Sequence, residues 1–262
     1  MSRIAVFLYG VLSYGLFFAC FLYSIAFVGN LDFVPKTIDS GSGLPIAAAI
    51  GVNLCLLAIF AVQHTGMARP GFKRVFTRML PEAVERSTYV LLSTACLALL
   101  YAAWQPIGGV VWDIANPAGR AALLALYFAG WGLVLYATFL IDHFDLFGLR
   151  QVWLHLRGKP YTGKPFHTPS LYRWMRHPLY VGWFTVFWAT PAMSGGHLLL
   201  ALVTTGYIWL AVLFEERDLV AHFGDTYRRY QESTPKFLPR LLRRGERRPA
   251  REPAVLGRGP RA

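Results

Sequence analysis

Long apolar runs separated by short polar segments dominate the chain. Four of these runs are each long enough, or nearly so, to cross a bilayer as a helix, and they occupy residues 5–28, 44–62, 88–104 and 121–141. A further stretch, residues 179–214, contains no acidic residue, Lys or Arg and is interrupted by Pro191 and by Ser194-Gly195-Gly196. That interruption predicts a helical hairpin with arms of about 15 to 18 residues, roughly 22 to 27 Å each. The pattern predicts about six spans.

Positive charge alternates between the connecting segments. Segments 29–43, 105–120 and 192–197 carry at most one Lys or Arg each, whereas segments 63–87 and 142–178 are rich in both. Short cytoplasmic loops of membrane proteins are enriched in Lys and Arg. We therefore predict that the cytoplasmic face carries the two basic segments, both termini and both ends of the hairpin. The protein is predicted to be a multi-pass protein of the cell (inner) membrane.

Composition supports this class. The chain has 262 residues, of which 55% are hydrophobic and 15% charged, whereas soluble domains average about 25% charged. We predict an all-α, polytopic membrane bundle with one domain over residues 1–240, in contact with the lipid bilayer. No sequence feature indicates an obligate protein partner.

The formal charge of +12 comes largely from the end of the chain. Residues 236–262 contain nine Lys or Arg residues and two Glu residues. No aromatic residues interleave with these charges in a way that would suggest nucleic-acid binding. Residues 241–262 are therefore predicted to form a disordered, basic cytoplasmic tail that is attracted to anionic lipid headgroups.

Cysteine and histidine spacings give no sign of disulfides or metal sites. Cys20, Cys55 and Cys96 lie one in each of the first three apolar runs, where small buried thiols are the ordinary interpretation. The seven histidines contain no i,i+3 or i,i+4 pair and no HExxH motif. We expect no metal site, although a haem held between helices stays open.

Charged clusters lie at the two ends of the hairpin. Arg176-His177 precedes it and Glu215-Glu216 follows it, so an out-and-back helix pair brings them to one membrane face. Two carboxylates at a membrane boundary cost free energy unless a cation pairs with them. That cation is either Arg176 or part of a bound ligand, and the two clusters together could hold a zwitterion.

The basic segment after the fourth run opens with Asp142-His143-Phe144-Asp145. Two interpretations are balanced: interfacial polar residues at a helix end, or a base with an orienting carboxylate. Leu146, Leu149, Trp153 and Leu156 then recur at helical spacing, which predicts an amphipathic cytoplasmic helix lying on the membrane.

The rest of that segment is predicted to be extended, then helical. Pro165 and Pro169 favour extended chain, and Thr168 or Ser170 can cap a helix over residues 171–176. Pro178 should kink the start of the fifth span.

Polar residues continue after the hairpin. Glu215, Asp218 and His222 share one helix face, and Phe223-Gly224 should end that helix. Tyr227 and Tyr230 predict a second short helix with an aromatic face, whose rings either anchor and pack or contact a ligand.

These residues resemble a known superfamily. The chain resembles the isoprenylcysteine carboxyl methyltransferase and phospholipid methyltransferase superfamily in four places. These are Arg176-His177-Pro178-Leu179-Tyr180-Val181-Gly182, then Phe214-Glu215-Glu216-Arg217-Asp218-Leu219, then Phe223-Gly224, and finally Tyr227 with Tyr230. The resemblance covers roughly residues 165–240, which it marks as the cofactor-binding part. It implies an integral-membrane enzyme that uses S-adenosyl-L-methionine, and no strand-borne GxGxG loop of Rossmann type is present.

Two further segments narrow the resemblance. Gln63-His64-Thr65-Gly66-Met67-Ala68-Arg69-Pro70 and residues 143–153, HFDLFGLRQVW, look like the methanethiol S-methyltransferases, relatives of NnrU-type membrane proteins. The narrower match spans most of residues 60–240 and implies methylation of methanethiol to dimethyl sulfide, with hydrogen sulfide as a possible second acceptor. Thr65 stands where Ser is expected and retains the hydroxyl.

The resemblance also implies roles for residues. Glu215 and Glu216 would hold the cationic groups of the cofactor, Arg176 and His177 its carboxylate, and Tyr180 and Trp183 would pack on the adenosine. The remaining cofactor-binding candidates are Pro178, Gly182, His222, Tyr227 and Tyr230.

An acceptor thiol must lose its proton, so a base is also expected. The first candidate is His143 oriented by Asp142 or Asp145, and the second is His64.

Two other classes of function remain at this point. A methyltransferase acting on a lipid amine or a prenylated cysteine would need a wide lateral opening for the long chain. A non-enzymatic, NnrU-like membrane protein would need no intact cofactor site.

Overall fold

The computed structural model describes residues 2–238. In this range it contains ten α-helices, one 3-10 helix and two short strands. The helices are α1 (Arg3–Val28), α2 (Ile46–Ala68), α3 (Pro70–Met79), α4 (Glu82–Ala103), α5 (Pro117–Ile141), α6 (His143–Leu146), α7 (Leu149–Leu156), α8 (Pro178–Trp188), α9 (Gly195–Phe223) and α10 (Asp225–Ser233). The 3-10 helix is Ser170–Arg173, and the strands are β1 (Val110–Asp113) and β2 (Ala192–Ser194). The predicted tail, residues 241–262, lies outside the described residues.

Within residues 2–238, five helices are long and apolar enough to cross a membrane, namely α1, α2, α4, α5 and α9. The prediction of an all-α, polytopic membrane protein is confirmed. The predicted lengths of the hairpin arms are wrong, because α8 has 11 residues and α9 has 29, or about 16 and 44 Å. Helix α8 already ends at Trp188, because the chain that follows it forms β2 at Ala192–Ser194.

The segments predicted to face outward meet at one end of the bundle. There β1 pairs antiparallel with β2, a pairing that the sequence did not predict. Ser194 Oγ donates to Asp39 at 2.5 Å, and the side-chain amide of Asn53 bonds both the backbone N–H and the carbonyl of Gln105. These contacts tie three sequence-distant connections together.

The basic segments gather at the opposite end. Arg69 forms an ion pair with Asp218 at 3.1 Å, and Arg86 Nε donates to the carbonyl of Leu146 at 2.6 Å. The grouping of segments is the one predicted from the alternation of charge.

Local boundaries differ from the predictions in several places. Helix α2 continues to Ala68, so residues 63–68 are helical rather than part of a loop, and α3 was not predicted. The amphipathic helix is present as α7 but starts at Leu149, because Gly148 has a φ of +88°. It packs against α1, where Val152 fills the space beside Gly10.

The segment before α8 also differs. Residues predicted to form a capped helix over 171–176 form the 3-10 helix Ser170–Arg173, which has no side-chain cap. Pro178 does not kink a helix, because it is the first residue of α8, where its missing N–H costs nothing. At the other end of the hairpin, α9 ends at Phe223-Gly224 as predicted.

Close packing of α5 on α8 positions the start of the hairpin. Gly182 faces Gly130 and Val134, and a Cβ atom on Gly182 would lie 2.9 Å from the Val134 backbone nitrogen and 3.0 Å from the Gly130 carbonyl. Both obstacles are backbone atoms, so neither helix can yield without moving as a whole.

We predict that Gly182→Ala separates α5 from α8 and lowers stability by about 1–3 kcal/mol, the usual cost of overpacking. Gly132→Ala is the matched control, because a Cβ on Gly132 meets nothing within 4 Å. Thermal unfolding of the purified protein in detergent should show a lower midpoint for Gly182→Ala only. Equal midpoints for the two variants would contradict the packing account.

Candidate active site

A cavity of about 1130 Å³ opens at the basic end of the bundle. Its wall is built by α3, the start of α4, the α5–α6 junction, α7, the 3-10 helix, the two residues before α8, the end of α9 and α10. The extended chain over residues 159–169 contributes much of the remaining wall.

Arg176 and Glu216 form a buried ion pair beside this cavity. Arg176 Nε donates to Glu216 Oε1 at 2.8 Å, and the two side chains are 7% and 10% exposed. The same carboxylate contacts His177 Nε2 at 3.1 Å, Gln231 Nε2 at 3.2 Å and Lys236 Nζ at 3.4 Å. The prediction that the hairpin brings the basic and acidic clusters together is confirmed.

A second nitrogen of the Arg176 guanidinium is also engaged. This nitrogen bonds the carbonyls of Gln231 and Thr234. The backbone N–H groups of Arg176 and His177 bond the carbonyls of Pro235 and Lys236. The pair therefore fastens the start of α8 to α9 and to the chain after α10.

Glu215 has a different environment. Its carboxylate accepts a hydrogen bond from the Tyr180 hydroxyl at 2.8 Å, lies 3.9 Å from His177 Nδ1 and is 43% exposed. Glu215 lines the cavity, and Glu216 does not. Glu216 is engaged with Arg176, whereas Arg176 and His177 both line the cavity. The predicted contacts of these residues with a ligand stay predictions.

Aromatic rings form another part of the cavity wall. Phe166 lies edge-on to Tyr227 and Tyr230, with centroid distances of 5.8 and 5.4 Å. Burial raises the pKa of Tyr230 to about 12, so its hydroxyl stays protonated and donates to the carbonyl of Tyr172. Phe166 was not among the sequence candidates, although an aromatic residue in a polar segment between two prolines is a usable signal.

His143 is enclosed by protein. Thr138 Oγ1 donates to the carbonyl of Leu135, so it accepts from His143 Nδ1 at 2.8 Å, while Nε2 accepts from the Tyr14 hydroxyl at 2.8 Å. The imidazole stacks on Phe139 at 4.2 Å and is 2% exposed. Burial lowers the pKa of His143, although Asp142 opposes the shift. Both nitrogens of the ring are occupied by protein partners.

Asp142 and Asp145 do not orient that imidazole, which corrects the predicted base and carboxylate arrangement. Asp142 pairs with Lys164 and accepts from the Asp145 backbone N–H at 3.3 Å. Burial alone would raise the pKa of Asp142, but Lys164 and this backbone bond outweigh it and lower the pKa. Asp145 accepts from Arg150 and Tyr161 at 3.0 and 3.1 Å. Both carboxylates line the cavity and anchor its wall over residues 159–169.

His64 lies behind the cavity wall on α2. Its two ring nitrogens are each 2.9 Å from the Tyr89 hydroxyl, and Nδ1 is 3.4 Å from Ser93 Oγ. The guanidinium carbon of Arg86, a residue that lines the cavity, lies 4.9 Å from the centroid of the Tyr89 ring. Neither Arg86 nor Tyr89 was singled out from the sequence, because nothing in their local spacing marks them.

The remaining predicted site residues do not line the cavity. Trp183 packs edge-on to Trp131 with a centroid distance of 5.3 Å, Gly182 lies in the α5–α8 contact, and Pro178 begins α8. His222 is exposed near the end of α9. Trp183 is not part of this cavity wall, and its predicted packing on the adenosine stays a prediction.

Comparison with known proteins gives a consistent result. Methanethiol S-methyltransferase of Mycobacterium tuberculosis is 53% identical over 239 residues, which are 91% of this chain and 98% of that protein. Methanethiol S-methyltransferase 2 of Bradyrhizobium diazoefficiens is 48% identical over 256 residues, 98% of each chain. Nurim of Rattus norvegicus is 35% identical over 182 residues, which are 66% of this chain and 69% of that protein.

No family model and no solved structure matches the chain. The similarity to the two bacterial enzymes covers almost their whole length and includes every element of the cavity described above. The chain belongs to the methanethiol S-methyltransferase family.

Proposed function

We propose that this protein transfers a methyl group from S-adenosyl-L-methionine to the sulfur of methanethiol and so forms dimethyl sulfide. Hydrogen sulfide is a second acceptor to test. The observation that carries this proposal is the similarity over nearly the whole chain to curated methanethiol S-methyltransferases. Family membership does not favour the two alternatives, which were a methyltransferase acting on a lipid or prenylcysteine and a non-enzymatic relative.

The cavity suits a cationic nucleoside donor. Its volume of about 1130 Å³ is slightly above the range for small-molecule sites, about 300 to 1,000 Å³, so it has room for a nucleoside and a very small thiol. Tyr227, Tyr230 and Phe166 offer ring edges and faces to a flat base. S-adenosyl-L-methionine supplies a methyl group on a positively charged sulfur.

Glu215 is proposed as the principal contact for the cationic groups of the donor. It is the more exposed of the two adjacent carboxylates and faces the cavity, and the Tyr180 hydroxyl fixes one of its oxygens. The Arg176–Glu216 pair holds the helix that presents it.

We further infer that the cavity-bearing end of the bundle faces the cytoplasm from the inner membrane. The basic residues of segments 63–87 and 142–178 support this orientation. A cytoplasmic cavity also has direct access to the cellular methyl donor, and a small apolar thiol can enter from the bilayer.

Membranes that contain the protein should convert labelled S-adenosyl-L-methionine and methanethiol into labelled dimethyl sulfide, measured in the headspace. Supplying hydrogen sulfide in place of methanethiol tests the second acceptor, with methanethiol as its first product. Absence of labelled dimethyl sulfide, with folded protein in the membrane, would refute the proposed activity.

The adjacent carboxylates should differ in the effect of substitution. Glu215→Gln removes a charge from the cavity and should weaken binding of S-adenosyl-L-methionine by about 10- to 100-fold, the value of a charge-assisted contact, with the unfolding midpoint nearly unchanged. Glu216→Gln leaves Arg176 buried without its counter-charge and should destabilise the fold by about 3 to 5 kcal/mol. Equilibrium binding and thermal unfolding in detergent measure the two effects. Donor affinity unchanged in Glu215→Gln would contradict its role.

A further inference from the structure

A polar cluster lies inside the bundle, between α2, α4 and α9. His64 and Thr65 come from α2, Tyr89 and Ser93 from α4, and Tyr207 from α9. Thr65 Oγ1 and the Tyr207 hydroxyl are 3.0 Å apart, next to the contacts of His64 with Tyr89. All three helices are apolar enough to span a membrane, and polar groups at such depth usually serve a function.

His64 differs from His143 in its capacity for a further partner. Both nitrogens of His143 have their own partner. The two nitrogens of His64 share one hydroxyl, that of Tyr89, at 2.9 Å each. A hydroxyl hydrogen points to one nitrogen at a time, and within residues 2–238 the other polar contact of the ring is Ser93 Oγ, 3.4 Å from Nδ1. Within that range, Nε2 of His64 therefore has no polar partner other than the shared hydroxyl.

Contacts on both sides fix His64 relative to the cavity. Tyr89 lies between the imidazole and the guanidinium of Arg86, which lines the cavity and is anchored to the carbonyl of Leu146. On the other side, the Arg69–Asp218 ion pair at 3.1 Å joins α2 to α9, the helix that carries Glu215. The imidazole is thus held against Tyr89, whose ring packs on Arg86 of the cavity wall.

The surroundings of His64 suit a small uncharged thiol. Phe60 stacks on the imidazole with a centroid distance of 5.1 Å and also contacts Tyr207 at 6.4 Å. Phe60 thus gives the imidazole one apolar neighbour, a surface that favours a short alkyl group and disfavours a charged one.

We propose that His64 is the base that takes the proton of the acceptor thiol and that Tyr89 positions it. This inference rests on the proposed function. The thiol S–H bond breaks and its proton moves to a ring nitrogen of His64. The electron pair left on that sulfur forms the new S–C bond to the methyl group. The bond between that methyl group and the donor sulfur breaks, and its electron pair stays on the donor sulfur, which becomes neutral. The proton on His64 is then released to the cytoplasm.

The need for a base follows from acidity. A cysteine-type thiol has a pKa of about 8.5 and a simple alkyl thiol is weaker still, so it is mostly protonated at pH 7, whereas an ordinary imidazole, with a pKa of about 6.5, is mostly neutral. A positioned base commonly contributes about 10² to 10⁴ in rate.

His64→Asn tests the base with two acceptors of similar size, ethanethiol and the much more acidic 2,2,2-trifluoroethanethiol. We expect turnover of His64→Asn with ethanethiol at pH 7 to fall by at least about 100-fold and to rise steadily with pH as the thiol ionises by itself. Turnover with trifluoroethanethiol should stay within about tenfold of the wild type. Equilibrium binding of S-adenosyl-L-methionine should be unchanged, which shows that the variant is folded.

Tyr89→Phe removes only the hydroxyl and should lower kcat about tenfold for ethanethiol, with KM and the shape of the pH profile retained. His143→Asn is the control at an enclosed imidazole, and its dependence on thiol acidity should match the wild type. The inference is overturned if His64→Asn loses both acceptors equally, or if the acidity dependence arises in His143→Asn instead. A wild-type protein that methylates no thiol would refute the proposed function together with this inference, whereas a His64→Asn variant that keeps wild-type turnover with ethanethiol at pH 7 refutes the inference alone.

Discussion

The buried ion pair of Arg176 and Glu216 is the interaction on which the rest of the site depends. It joins the segment just before α8 to α9 at 2.8 Å, and the same guanidinium bonds carbonyls at the end of α10. A buried pair of this kind adds little net stability relative to apolar residues, but the loss of one partner is costly because the other charge remains buried. Its value here is geometric, since it determines which carboxylate faces inward and which faces the cavity.

The unequal lengths of α8 and α9 follow from the need to bring Arg176 and Glu216 together. Helix α8 is about 16 Å long and α9 about 44 Å, so α9 extends beyond the bilayer core of about 30 Å and carries its acidic pair to the boundary where α8 begins. At the other end, the chain between α8 and α9 forms β2, which pairs with β1. The adjacent glutamates of α9 then have different surroundings: Glu216 points to Arg176, and Glu215 points to the cavity.

Much of this arrangement was predictable from the sequence. Apolar runs and alternating loop charge gave the membrane class, and the Arg-His and Glu-Glu clusters gave the meeting of α8 with α9. Local spacing did not reveal that Glu216 is used internally, that β1 pairs with β2, or that His143 is closed off by Tyr14, which is 129 residues away in the sequence. Such partners are set by tertiary packing, whereas a sequence pattern reports only which face a residue occupies.

The roles of the two histidines show the same limit. His64 and His143 both lie near the basic end of a helix, and the sequence favoured His143 because carboxylates flank it. In the fold those carboxylates bind Lys164 and Arg150 instead, because long cationic side chains from the neighbouring helix and the extended segment reach them. A flanking carboxylate therefore indicates a base only where no cation competes for it.

The most direct test of the account is a double-mutant cycle on the central pair, read out as thermal unfolding of Arg176→Met, Glu216→Met and the double variant in detergent. We predict that each single variant is strongly destabilised and that the double variant recovers much of the loss, because no unpaired charge then remains buried. Additive losses in the double variant would show that the two side chains do not depend on each other, and would contradict the account.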